Sequence, residues 1–229
     1  MNYIIANSRN WFDISEKSKE FNDLSFFYIK TKEELNLEYL SKINPKYIFF
    51  PHWTWKVDKE IFENYECIAF HTAPLPYGRG GSPIQNLIIK GFKKSPISAL
   101  KMNEVLDGGP IYIQENIYLN GNIDEIFMRI AKKIEKMILE ICKNNPIPKE
   151  QVGKPFLFKR LTKKDNQISP SMNILDIYDR IRMVDGHEYE KSYINFGRYK
   201  IYLSEAKLLK DKLEAKISIT LDDIETKNC

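Results

Sequence analysis

The segment from Phe70 to Gln114 reads FHTAPLPYGRGGSPIQNLIIKGFKKSPISALKMNEVLDGGPIYIQ and decides the expected fold. It places His71 at the end of a short apolar run and Asp107 in a Leu-Asp-Gly-Gly-Pro turn between two further apolar runs. A loop rich in proline and glycine and a short helix, residues 82–91, separate the two side chains. Open α/β sheets build sites outside the carboxyl ends of their strands. The segment therefore predicts such a sheet with a titratable pair at its edge.

Outward from this segment, short apolar runs alternate with helical patterns, which favours a mostly parallel sheet with helical crossovers. The fold class is α/β, a Rossmann-like sheet flanked by helices. Strands are expected at 3–6, 26–29, 47–50, 67–71, 97–103 and 111–118. Helices are expected from Thr31, where Glu34 completes a capping box, to about Lys42, over 59–65, over 82–91, and from Asn122 to the stop at Pro146.

The composition changes after Pro148, which divides the chain into a catalytic domain, 1–148, and a remainder, 149–229. Residues 149–170 are polar and basic and indicate a linker. A helix from Ser171 to Met183 and a hairpin over 192–203 then predict a small C-terminal α+β subdomain. The stretch from Leu209 is weakly patterned and receives no assignment.

Composition excludes several classes of function. The 35 basic and 31 acidic residues are dispersed, so no nucleic-acid partner is expected. The three cysteines have neither metal-type spacing nor a disulfide pattern, and no metal site is expected. No apolar run has the length of a membrane span, and no signal peptide is present, so a cytoplasmic protein without a membrane partner is predicted. Neither a G-x-G-x-x-G fingerprint nor a P-loop follows any strand.

The His71 and Asp107 motifs resemble those of a known family. The run His71 to Ile84, HTAPLPYGRGGSPI, resembles the His-x-x-Leu-Leu-Pro-x-x-Arg-Gly-x-x-Pro-Ile segment of folate-dependent formyltransferases, and EVLDGGPIYIQ resembles their Leu-Asp-x-Gly-x-Ile-x-x-Gln turn. The resemblance covers residues 40–145. It implies the formyltransferase fold and transfer of a formyl group from 10-formyltetrahydrofolate to a primary amine.

Under this resemblance His71 and Asp107 are the catalytic pair. His71 either stabilises the developing oxyanion as an imidazolium or accepts the amine proton as an imidazole, and both roles stay open. One position departs from the family, which carries an asparagine two residues before the histidine where this chain has Ala69. We expect His52 to replace the missing donor because it follows a strand at the same sheet edge. The alternative is that His52 only packs on Trp53.

The resemblance also assigns binding residues. A pterin is expected against Trp53 or Trp55, with main-chain contacts from the other side; the alternative is that either tryptophan only caps the core. The residues expected to hold the cofactor are Trp53, Trp55, Asn103, Val105, Leu106 and Asp107.

For the acceptor, the segment from Lys159 to Leu203 resembles the linker and subdomain of bacterial sugar-nucleotide formyltransferases, the pseudaminic-acid-pathway type in particular. It implies a UDP-linked 4-amino-4,6-dideoxy sugar of surface-glycan biosynthesis, and it allows a homodimer. The residues expected to bind this substrate are Asn7, Ser8, Arg9, Tyr77, Arg79 and Gly80.

Several alternatives remain from sequence. Methionyl-tRNA formyltransferases share the catalytic motifs, but their C-terminal RNA-binding domain is expected to need more chain than follows Pro148. Glycinamide ribonucleotide formyltransferases are short enough yet have no counterpart to Lys159–Leu203. A hydrolase of the formyl donor would carry an added regulatory domain. Ala69 also allows a binding module that has lost catalysis.

Overall fold

The computed structural model describes residues 1–9 and 24–221, and Cys229 lies outside them. These residues form two compact units. The first consists of Met1–Pro83, Lys94–Ile117 and Phe127–Phe158, and the second consists of Ile84–Lys93, Tyr118–Ile126 and the chain from Lys159 onward. Residues 149–158 thus belong with the sheet, and the expected domain division at Pro148 stays a prediction. No helix within the described ranges is long and apolar enough to cross a membrane.

Eight strands precede the second unit's sheet: β1 (Asn2–Asn7), β2 (Ser25–Ile29), β3 (Tyr47–His52), β4 (Cys67–Thr72), β5 (Tyr77–Gly80), β6 (Lys94–Lys101), β7 (Ile111–Tyr118) and β8 (Phe156–Phe158). Six of them form one sheet in the order β2-β1-β3-β4-β6-β7. β1 pairs in parallel with β2 and β3, and β3 with β4, whereas β4 and β6 are antiparallel. The expected mostly parallel α/β sheet is confirmed.

The helices are α1 (Leu37–Ile43), α2 (Lys59–Asn64), α3 (Pro83–Ile89), α4 (Ile123–Asn144) and α5 (Ile174–Arg182). Strand residues alternate between the two sheet faces. One face carries Ile4, Ile48 and Cys67, which form a core cluster with Leu40 of α1 and Ile61 of α2. At about 25 cal/mol per Å² of buried apolar surface, such clusters supply most of the driving force for folding.

Capping hydrogen bonds correct one expected helix boundary and confirm another. α1 begins at Leu37 because the side chain of Asn36 accepts the N–H of Tyr39, whereas Glu34 accepts the N–H groups of Lys30 and Thr31 within an isolated turn. The expected start at Thr31 is therefore wrong. The capping box of Asn122 and Glu125 is confirmed at α4.

The second unit contains an antiparallel sheet in the order β11-β10-β9, with β9 (Ser192–Phe196), β10 (Tyr199–Leu208) and β11 (Leu213–Leu221). The predicted hairpin is β9 and β10. β11 was not predicted, since its side chains are almost all exposed and give no contrast between faces. α5 is capped by Asn173, whose side chain accepts the N–H of Asp176, and not by Ser171 as expected.

Candidate functional site

The structure brings His71 and Asp107 together in the first unit. His71 is the penultimate residue of β4, and its Nδ1 lies 3.5 Å from Oδ2 of Asp107. The side chains are 8% and 16% exposed, so water screens the pair weakly. On the other side of the ring, Nε2 lies 2.8 Å from the carbonyl oxygen of Gly78. A carbonyl oxygen only accepts, so Nε2 carries a hydrogen and Nδ1 is the nitrogen that faces Asp107.

Two glycines in the loop of residues 73–81, Gly78 and Gly80, allow the loop backbone to lie close to His71 and Asp107. Gly78 has a φ of 90°, and a Cβ on it would lie 2.7 Å from the ring of Phe158. Gly80 has a φ of 97° and donates its N–H to Oδ2 of Asp107 at 2.8 Å. The loop that carries Tyr77, Arg79 and Gly80, three residues expected to bind substrate, therefore also holds the carboxylate of Asp107.

The loop is fixed from its other side by β8, which pairs in parallel with β5. Tyr77 stacks on Phe156 with ring centroids 4.9 Å apart and meets Phe158 edge on. Tyr77 therefore has a packing role in β5, and its assignment to substrate binding stays a prediction.

Gln151 is a residue of this site that sequence reasoning missed. Its Oε1 accepts from Nε and Nη2 of Arg79 at 3.1 and 2.7 Å. Its Nε2 donates to the carbonyl oxygens of Asp107 and Gly109, both at 2.8 Å. Nothing in a polar linker distinguishes this glutamine from a solvated one, so no sequence signal could have found it.

A second group of expected residues lies at the ends of β1 and β3. Asn7 is in register with His52, and its side-chain amide donates to the carbonyl oxygen of Arg9. Ser8 donates its N–H to the carbonyl oxygen of His52 at 3.0 Å, and its hydroxyl lies 2.8 Å from that of Thr54. The structure thus joins Asn7, Ser8, Arg9 and His52 into one cluster, distinct in its contacts from the pair of His71 and Asp107.

Burial, and secondarily the positive charge of Arg9, lowers the pKa of His52 from 6.5 to about 4. His52 is accordingly neutral at pH 7, so it can donate from one ring nitrogen but carries no charge to offer a developing oxyanion. Its proposed role as a replacement donor stays a prediction.

This pKa shift predicts an acid-sensitive fold. Between pH 6.5 and about 4 the unfolded chain protonates His52 and the native chain does not, so stability is lost as the pH falls. The contribution of His52 is at most about 1.4 kcal/mol per pH unit. Urea unfolding at several pH values should show a shallower fall for His52→Gln than for the wild type. Equal slopes for the two proteins would contradict the buried, uncharged state of His52.

The segments assigned to the cofactor share one part of the first unit. Trp53 and Met102 both pack against the core cluster of Ile4 and Ile48, and the ring of Trp55 meets that of Trp53 at 5.1 Å. Lys59, at the start of α2, forms an ion pair with Glu104. Residues 103–106 therefore lie near the loop that carries the two tryptophans.

The groups exposed there fit a flat heteroaromatic ring with a polar edge. Trp55, Val105 and Leu106 are 40%, 55% and 67% exposed. The side chain of Asn103 accepts the N–H of Val105, and the carbonyl oxygen of Val105 accepts the N–H of Gly108. Within the described residues, the main-chain N–H and C=O groups of Glu104 and Leu106 take part in none of the backbone hydrogen bonds, so they are available to a ligand.

Ala69 lies on the same face of β4 as His71, two residues before it, and is half-buried. Ser98 of β6 is in register with His71, is fully buried, and accepts a hydrogen bond from Nε2 of Gln114 at 2.8 Å. Sequence reasoning did not single out this neighbouring hydroxyl. Asn86, another polar residue of the loop region, donates instead to the carbonyl oxygen of Lys159.

Comparisons with known proteins give one family match. A model of the C-terminal domain of methionyl-tRNA formyltransferase matches residues 163–220. Methionyl-tRNA formyltransferase of Caldicellulosiruptor saccharolyticus is 36% identical over 163 residues, which cover 67% of this chain and 51% of the relative. The chain thus spans about half the length of this curated relative.

Solved structures give wider coverage. Methionyl-tRNA formyltransferase from Clostridium thermocellum is 41% identical, with a TM-score of 0.92 over 97% of this chain and 100% of that one. A sugar N-formyltransferase from Shewanella sp FDAARGOS_354 is 17% identical, with a TM-score of 0.70 over 92% of this chain and 99% of that one. At 17% identity, the similarity to the sugar N-formyltransferase shows only that the two proteins share a fold.

Proposed function

The chain belongs to the formyltransferase family, and we propose that it transfers a formyl group from 10-formyltetrahydrofolate to the α-amino group of methionyl-tRNA. The observation that carries the proposal is the buried pair of His71 and Asp107, held between Gly78 and Gly80 in a chain that aligns along its length with a methionyl-tRNA formyltransferase.

The expectation of a nucleotide-sugar acceptor in surface-glycan biosynthesis is wrong, and so is the expectation that no nucleic acid is bound. The relatives with 25–41% identity are methionyl-tRNA formyltransferases, while the sugar enzyme is 17% identical. The length argument against tRNA failed because it assumed that the C-terminal RNA-binding domain needs more chain than follows Pro148. The matching C-terminal model needs only residues 163–220, which contain α5 and the three-stranded sheet.

10-Formyltetrahydrofolate is the donor that formyltransferases of this family use, and it supplies a formyl carbon open to attack by an amine. Trp53, Trp55 and the main chain of residues 103–106 would hold its pterin. The apolar side chains and open main-chain groups of these segments support that assignment.

His71 and Asp107 would handle charge and protons. Oδ2 of Asp107 is engaged by the N–H of Gly80, and among the described residues Oδ1 has no hydrogen-bond partner. Either Nδ1 of His71 or this Oδ1 would take the proton that the amine loses, and that proton would pass to N10 of tetrahydrofolate as the bond between N10 and the formyl carbon breaks. A protonated His71 would stabilise negative charge on the formyl oxygen. The low exposure of both side chains keeps competing water out.

Arg79 is suited to the acceptor's phosphate backbone. A guanidinium has five N–H donors, and Gln151 engages the Nε hydrogen and one on Nη2. The other three have no partner among the described residues. The net charge of +4 is compatible with weak, salt-dependent attraction to RNA.

An acceptor panel tests the proposal. The full chain is incubated with 10-formyltetrahydrofolate and, separately, methionyl-tRNA, glycinamide ribonucleotide and a UDP-linked amino sugar. We expect formylmethionine after deacylation of the tRNA and no formylated sugar. N-acetylmethionyl-tRNA, whose amine is blocked, is the control. Formylation of a small-molecule amine with methionyl-tRNA unchanged would overturn the proposal, as would turnover of none of the three.

A further inference from the structure

Gln151 lies where two separate parts of the site meet. Arg79 belongs to β5, and Asp107 and Gly109 belong to the turn between β6 and β7. The two parts are 28 positions apart along the chain from Arg79 to Asp107. Gln151 comes from the segment between α4 and β8 and contacts both.

The side-chain amide of Gln151 is saturated. An amide oxygen has two lone pairs and the NH₂ group has two hydrogens. Arg79 occupies both lone pairs, and the carbonyl oxygens of Asp107 and Gly109 take both hydrogens. The reversed amide would set donors against Arg79 and an oxygen against two carbonyls, so the orientation is fixed by chemistry.

The turn that Gln151 contacts has an unfavourable backbone conformation at Asp107 and no room for a side chain at Gly109. Asp107 has a φ of 51°, a left-handed conformation that costs a non-glycine residue about 1 kcal/mol. A Cβ on Gly109 would collide with the carbonyl oxygen of Lys101, so the turn lies tightly against the end of β6. A carboxylate carried on such a turn depends on whatever fixes the turn's carbonyl groups.

We propose that Gln151 is a positioning residue whose amide couples Arg79 to the turn of Asp107 and Gly109, and so sets the carboxylate that faces His71. The kinetic part rests on the proposed formyl transfer. We call the four hydrogen bonds of Gln151 the clamp. The clamp would affect the rate by fixing the position of the Asp107 carboxylate, and a misplacement of about 1 Å in a site costs up to about 100-fold in rate.

Two substitutions separate the halves of the clamp. Gln151→Leu removes all four hydrogen bonds at similar volume. Gln151→Glu still accepts from Arg79, as a charge-assisted pair, but cannot donate to Asp107 or Gly109. Glu150→Gln, at the exposed neighbouring position, is the matched control. Thermal unfolding of each variant is measured alongside.

We expect kcat to fall about 10-fold or more in both Gln151 variants and to stay within twofold in Glu150→Gln. The KM for the acceptor should rise in both variants, because Gln151→Leu releases Arg79 and the carboxylate of Gln151→Glu neutralises the charge that Arg79 offers to phosphate. Wild-type kcat in Gln151→Glu would overturn the coupling of the amide to the turn.

Hydrogen exchange provides a readout that does not depend on activity. The N–H of Gly80 is bonded to Oδ2 of Asp107, so we expect its exchange to accelerate in both Gln151 variants and not in Glu150→Gln. Unchanged exchange at Gly80 would overturn the positioning role. If the wild type formylates no amine but exchange at Gly80 is faster in the Gln151 variants, the proposed function is wrong and the positioning role of Gln151 stands.

Discussion

Replacement of His71 by glutamine is expected to lower kcat for formyl transfer about 1,000-fold. The amide of glutamine can still donate to the carbonyl oxygen of Gly78, the bond that Nε2 makes at 2.8 Å, but it neither accepts a proton nor carries charge. Either catalytic role of His71, proton acceptor or oxyanion partner, is therefore lost while the loop keeps its contact. Steady-state kinetics with methionyl-tRNA would measure the change.

His187→Gln is the matched control, because His187 also pairs with an aspartate, Asp124, at 2.6 Å but is 97% exposed. We expect that variant to retain kcat within twofold. The pH dependence of kcat/KM distinguishes the two roles of His71, since a base must start neutral and an oxyanion partner must start charged. A His71→Gln enzyme with near-normal kcat would remove His71 from the chemistry.

Asp107→Asn is expected to lower kcat at least about 100-fold without unfolding the protein. Asparagine tolerates the left-handed backbone at this position, and its Oδ1 can still accept the N–H of Gly80, so the loop and turn stay joined. What is lost is the negative charge 3.5 Å from Nδ1 of His71. The loss should therefore appear in kcat and leave the unfolding free energy within about 1 kcal/mol of wild type.

Glu205→Gln makes the same change from carboxylate to amide at another non-glycine residue in the left-handed region, with a φ of 52°. Its kcat should match the wild type. If Asp107→Asn instead lost stability and kept kcat, the carboxylate would have a structural role only.

Much of the fold followed from local patterns. Alternating apolar runs and the capping box at Asn122 specify their elements because both signals are contained within a few residues. α1 and α5 were placed a few residues too early, since competing caps at Asn36 and Asn173 supply the same hydrogen bonds. β11 offered no contrast between a buried and an exposed face.

The sequence likewise predicted some residues of the candidate site and missed others. His71 and Asp107 were predicted from two motifs in register, and the structure brings them within 3.5 Å. Gln151 was missed because its four hydrogen bonds go to three residues that are distant in the sequence, and no local pattern encodes such contacts. The acceptor was wrongly inferred because the C-terminal segment is short and polar, and its identity rests on comparison of the whole chain with its relatives.

The central claim is that His71 and Asp107 act as one unit in formyl transfer to methionyl-tRNA. A single-turnover assay with a donor labelled in its formyl group tests it in wild type, both single variants and the double variant. We predict labelled formylmethionyl-tRNA from the wild type, and a double variant slowed about as much as the slower single variant, because groups acting as a unit are not additive. No label from the wild type, or a double variant slowed by the product of the two single effects, would contradict the account.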